Sequence, residues 1–192
     1  RTVLTLMREF PEFTFSQSQA SVYRIVQEFD PDMLEEIKSR IHEGRWEVTA
    51  SSWVEPDHNM GSAESMARHH LYTRAFFEEM GVRPAEIDFD PDTFGHHRNM
   101  PEFLQRAGIK YFYHCRGLDG QTLYRWRAPS GAEVLAYREP FWYNAAVDGD
   151  FAQYAPAFCE RFGVKSALRV YGVGDHGGGP TRRDIMRLID MQ

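Results

Sequence analysis

Two carboxylates and two imidazoles fall within the eight-residue run Asp90-Pro91-Asp92-Thr93-Phe94-Gly95-His96-His97. Oxygen and nitrogen donors at that density suit zinc or another divalent cation, and a carboxylate can also act as nucleophile or proton carrier. Asp-Pro-Asp is equally ordinary turn chemistry, so spacing alone leaves both readings open. A second run, Trp53-Val54-Glu55-Pro56-Asp57-His58-Asn59, sets an indole beside acids and an amide. Indole faces stack on sugar rings, and Asp57 and Asn59 could exchange hydrogen bonds with hydroxyls; the alternative is a Trp53 buried to anchor its loop.

The glycine-rich run Gly172-Val173-Gly174-Asp175-His176-Gly177-Gly178-Gly179-Pro180 lacks the Gly-Lys-Ser/Thr ending of a phosphate loop, and Asp175 would repel an anion. Its glycines would let backbone approach a ligand closely while Asp175 or His176 points inward, or would simply make a turn. Arg116 follows a strand pattern and could orient a carboxylate or a substrate hydroxyl, or stand as a solvated cation. His69 and His70 are adjacent in a helical pattern, face different directions, and read as structural.

The elements that must carry these residues alternate. Helical spacing is expected at 2–9, 20–29, 32–42, 63–80, 100–107 and near 151–162, with a last helix from Arg182. Strands are expected at 13–16, 46–50, 87–89, 109–113 and 168–171, with a hairpin added at 122–127 and 134–138 around Pro129-Ser130-Gly131. That rhythm predicts an α/β fold with a parallel sheet. Every candidate run then follows the carboxyl end of a strand, the edge at which parallel sheets and barrels bind ligands. Opening and closing on helices leaves too few strands for a closed barrel. The expected architecture is an incomplete (β/α) barrel truncated at both ends, forming one domain over residues 1–192.

Composition narrows the function. The 192 residues are 42% hydrophobic, enough for a sizeable core, and the net charge of −6 is spread without a basic stripe, which argues against nucleic acid. No apolar run approaches the roughly 20 residues that span a bilayer. Cys115 and Cys159 read as unpaired, reduced thiols, which favours a cytoplasmic setting, and a homo-oligomer is compatible with all of this.

Taken in order, the block Trp53 to Asn59 with Glu64-Ser65 and Arg68, then Pro91-Asp92-Thr93-Phe94-Gly95, then Gly172 to Thr181, resembles the signature blocks of glycoside hydrolase family 38 α-mannosidases. The resemblance runs through nearly the whole chain. It implies an α-mannoside or mannose-containing oligosaccharide as substrate and a retaining double displacement assisted by Zn²⁺. Asp92 would be nucleophile and zinc ligand, and a second carboxyl group about 5–5.5 Å away would switch from acid to base. Arg116 would support the nucleophile and substrate, with Trp53, Asp57 and His176 contributing to sugar binding. His176 stands where several relatives carry a second Asp, so Asp175 is the expected proton carrier. Asp92 is the one zinc ligand of the family's four expected here, the others lying before Arg1 and beyond Gln192. Related sugar hydrolases that deacetylate with zinc, and sugar-binding relatives without catalysis, are the competing readings.

Overall fold

The computed structural model describes residues 1–117, 120–172 and 179–191. The chain divides into two compact units, one made of residues 14–138 and the other of 1–13 with 139–192.

In the first unit, Phe15–Gln17 (β1) pairs in parallel with Trp46–Val48 (β2), in the register Phe15 to Trp46. Two helices, Ala20–Phe29 (α2) and Pro31–His42 (α3), make the crossover between them. The break between these helices is local chemistry. Asp30 accepts a bond from the backbone N–H of Met33 at 3.3 Å, and Pro31 takes a first-turn position where its missing N–H costs nothing. Tyr23 of α2 is buried and ties the crossover down, accepting from Trp46 Nε1 at 2.9 Å and donating to the Gln17 carbonyl at 3.1 Å.

A longer helix, Ala63–Glu79 (α4), is capped by Ser62 and leads to Ile87–Asp90 (β3). Met100–Arg106 (α5), Tyr111–His114 (β4), Leu123–Arg127 (β5) and Glu133–Arg138 (β6) follow. The four strands form one sheet in the order β3-β4-β6-β5, parallel from β3 through β6 and antiparallel only at β5. The hairpin is therefore not an appendage, because its second strand lies beside β4 and its first forms the edge. Met66, Met100, Leu104, Ile109, Phe112, Val134 and Ala136 make the core under this sheet.

The second unit contains Thr2–Glu9 (α1), Ala155–Phe162 (α6) and Arg182–Asp190 (α7). Arg182 clamps Glu9 through two parallel bonds of 2.6 and 2.5 Å, joining α7 to α1. Glu139 is wholly buried and paired with Arg169 at 2.9 Å. The strand expected at 168–171 does not form. Among the described residues its only ladder contact is an isolated parallel bridge from Tyr171 to Ala145. Alternating apolar residues supply strand propensity, but a strand exists only where a neighbour accepts its backbone bonds.

Candidate active site

Strand-end loops converge in the first unit as parallel topology requires. A small cleft is lined by Ser18 and Gln19 after β1, Thr49, Ser51, Ser52 and Glu55 after β2, and Phe89 and Asp90 of β3. The loop after β2 also caps α2, since the carbonyls of Ser52 and Trp53 accept from the N–H groups of Ala20 and Ser21 at 3.1 and 2.9 Å. Gln19, just before these donors, adopts a positive φ of 69°, a strained conformation for a residue with a side chain.

The runs 53–59 and 90–97 interlock. Glu55 Oε1 accepts from the backbone N–H of Asp92 at 2.7 Å and from Thr93 Oγ1 at 3.2 Å. The His58 N–H donates to the Gly95 carbonyl at 3.1 Å. A Cβ on Gly95 would stand 2.4 Å from Asn59 Nδ2 and 2.9 Å from Asp57 Oδ1, so any larger residue must push these side-chain ends aside. Burial pushes the Glu55 carboxyl above its ordinary value, and the bonds it accepts from Asp92 and Thr93 oppose that shift.

Asp92 lies just past the carboxyl end of β3, half-buried. Arg116, two residues beyond β4, donates from Nε to Asp92 Oδ1 at 2.7 Å and to its carbonyl at 3.2 Å, and Nη2 also contacts Oδ1. The guanidinium lies 4.1 Å from the ring centre of Phe94, which is 75% exposed. All these side-chain contacts fall on Oδ1, so Oδ2 is the atom that could meet a cation or a sugar carbon. That oxygen is a single donor of the kind a divalent cation accepts.

The other expected site residues are distributed unevenly. Trp53 is half-buried and packs edge-on against Phe76 at 5.7 Å, while its carbonyl caps α2. Asp57 Oδ1 accepts from the Asn59 N–H at 2.9 Å, closing an Asx turn against Gly95. Asp175 and His176 lie outside the described residues. His70 holds the Ser51 carbonyl through Nδ1 at 3.1 Å, in line with a structural role.

Behind Asp92 lies a polar cluster of which the two sequence runs contain Asp90, His96 and His58, but not Asp88 or His114. Asp88 and Asp90 alternate with Phe89, so both point to the buried side of β3. Beside them on β4, Phe112 pairs with Asp88 and His114 with Asp90. His96 packs on Phe112 and His114 at 5.4 and 4.9 Å between ring centres, and on His58 at 5.7 Å. Burial, with His114 and His58 nearby, lowers the His96 pKa to about 4, and burial also depresses His58 and His114. Asp90 moves the opposite way, raised by burial and then by Asp88. The period-two placement of Asp88 and Asp90 was the available signal, masked because acids rarely occupy the buried side of a strand.

Acidic loops gathered at the carboxyl ends of parallel strands are the layout of an α/β enzyme site. The chain belongs to the glycosyl hydrolases family 38 N-terminal domain family, whose profile matches residues 1–192. It is 34% identical to "Alpha-mannosidase G" of Dictyostelium discoideum, over 97% of this chain and 18% of that protein. It is 29% identical to "Alpha-mannosidase" of Saccharomyces cerevisiae, over 96% of this chain and 18% of the relative. The crystal structure of an alpha-mannosidase from Enterococcus faecalis V583 superposes with a TM-score of 0.78 at 23% identity, covering 98% of this chain and 23% of that one. The chain thus spans about a fifth of the length of these proteins.

Proposed function

We propose that the protein carrying this chain is a retaining α-mannosidase in which Asp92 is the nucleophile. The observation that carries this reading is the Asp92 carboxylate at the strand end, held through Oδ1 by Arg116 with its backbone N–H on Glu55. Arg116 and the Glu55 anchor fix the carboxylate's position, leaving Oδ2 to attack the anomeric carbon. That attack displaces the leaving alcohol, protonated by a second carboxyl group, and leaves a mannosyl ester on Asp92; water, deprotonated by the same second group, then releases mannose with retained configuration. Asp175 is our candidate for this second group. Trp53, Asp57 and His176 complete the proposed sugar contacts.

Asp92 would also hold a zinc ion, whose chemistry at this point is to polarise the neighbouring sugar hydroxyls. Residues 1–192 are read as part of one catalytic domain, an incomplete (β/α) barrel. This arrangement is supported by the parallel β1-β2 and β3-β4-β6 pairings. The two cysteines, neither of them in a disulfide, support a cytoplasmic setting. No helix among the described residues is long and apolar enough to cross a membrane.

The test is a trap. A fluorinated mannosyl reagent should label the complete protein by one mannosyl group on the peptide containing Asp92. Turnover of an aryl α-mannoside without any such adduct, or label on another peptide, would overturn the assignment. A deacetylase would release acetate from an acetylated sugar and accept no label.

A further inference from the structure

His58, Asp88 and Asp90 meet in the interior of the first unit, with one donor atom from each lying within 4.8 Å of the others. The side chains of His58 and Asp90 are 0% and 2% exposed, and residue Asp88 is 0% exposed. His58 Nε2 is 2.9 Å from Asp90 Oδ2, yet the two are not aligned as a hydrogen bond. Both His58 nitrogens, Asp88 Oδ2 and Asp90 Oδ2 are buried without a hydrogen-bond partner. Ser51 Oγ donates to Asp88 Oδ1, leaving Oδ2 as that group's unpaired atom. Among the described residues, no lysine or arginine pairs with either carboxylate. Buried carboxylates without a countercharge are rare because desolvation strongly disfavours them.

We propose that His58, Asp88 and Asp90 form a buried site for a divalent first-row transition ion, zinc foremost, distinct from the zinc expected at Asp92. One imidazole nitrogen and two carboxylate oxygens are a donor set that zinc accepts, and two carboxylates balance its charge. Donors on one zinc at about 2.0–2.2 Å sit roughly 3–3.6 Å apart. The His58 to Asp90 spacing of 2.9 Å is just short of this, and Asp88 closes on the ion with a movement on the order of 1 Å. The fold brings the donors to within that small movement of one another. Asp88 and Asp90 share one side of β3 by strand period, and the His58 loop is pinned to the Gly95 carbonyl. Ser51 and Asp90 also line the cleft, so the cluster borders it. The competing occupant is a proton shared between the two carboxyl groups.

The experiment counts metal in the complete protein, stripped with chelator and reloaded with Zn²⁺ alone. Wild type should retain one equivalent more than Asp88→Asn or Asp90→Asn, with affinity at the buried site falling by at least about 100-fold in either variant. Asp92→Asn should keep that equivalent. X-ray absorption on the Asp92→Asn protein should show nitrogen and oxygen neighbours only. His58→Gln, which leaves both carboxylates in place, carries the test if a carboxamide prevents folding, as judged by circular dichroism. Equal zinc content in folded wild type and all three buried-site variants would overturn the proposal, and so would its complete loss in Asp92→Asn. Neither result touches the mannosidase reading, whose readout is the mannosyl label.

Discussion

Asp92 and Asp90 stand two residues apart, and their electrostatic situations are opposite. Asp92 is partly solvated and its charge is met by Arg116, with Phe94 covering the guanidinium. Asp90 is buried beside Asp88 and His58, with no lysine or arginine paired to it among the described residues. The first arrangement holds a carboxylate in one place beside a cation, the positioning a nucleophile requires. The second calls for a proton or a cation. Strand alternation turns Asp88 and Asp90 inward, and Pro91 ends the strand so that Asp92 emerges at the loop. On the proposed assignments, one short stretch separates a charge held for chemistry from a charge held for an ion.

The sharpest way to break this contrast is Asp92→Asn in the complete protein. Hydrolysis of an aryl α-mannoside should fall by roughly 10⁴-fold or more, while urea midpoints move little because a part-exposed ion pair contributes only about 0–1 kcal/mol. A large stability loss with turnover intact would reverse the roles assigned to the two acids. Glu55→Ala should behave in the opposite way. It removes the acceptor of the Asp92 N–H and of Thr93 Oγ1, so chemical unfolding should show about 2–4 kcal/mol of lost stability, accompanied by reduced turnover.

Acid sharpens the comparison further. His96 is neutral in the fold because its pKa is lowered from 6.5 to about 4. Its contribution is full above pH 6.5 and lost as pH falls from there towards 4, since the unfolded chain takes up the proton first. Thermal melts of wild type and His96→Gln should therefore converge on acidification through that window. A gap that widens would contradict the buried, neutral imidazole. The smallest effect is expected at Gly95→Ala, about 1 kcal/mol, because the added Cβ meets the end of the Asn59 side chain. The double variant Gly95→Ala/Asn59→Ala should recover part of that loss, as a shared clash predicts.

Much of the scaffold was legible in local pattern. Helix limits at Ala20–Phe29 and Thr2–Glu9 coincide with their apolar spacing, and the helices expected from residue 63 and from Arg182 begin there. Failures were of another kind. Residues 168–171 have strand-like composition but only the Tyr171 bridge, and the hairpin's two strands were predicted without a sign of which one faces β4. Pairing partners are distant in sequence, so propensity cannot name them.

The sequence by itself determined the order of elements, the acidic runs at strand ends and the family to which they belong, because these depend on residue type and short-range spacing. Tertiary structure alone decided that Arg116 reaches Asp92 across 24 positions, that Glu55 anchors it across 37, and that His58 meets Asp88 and Asp90. Such meetings follow from strand register and loop closure, which bring distant groups within a few ångströms, where desolvation and charge set their protonation.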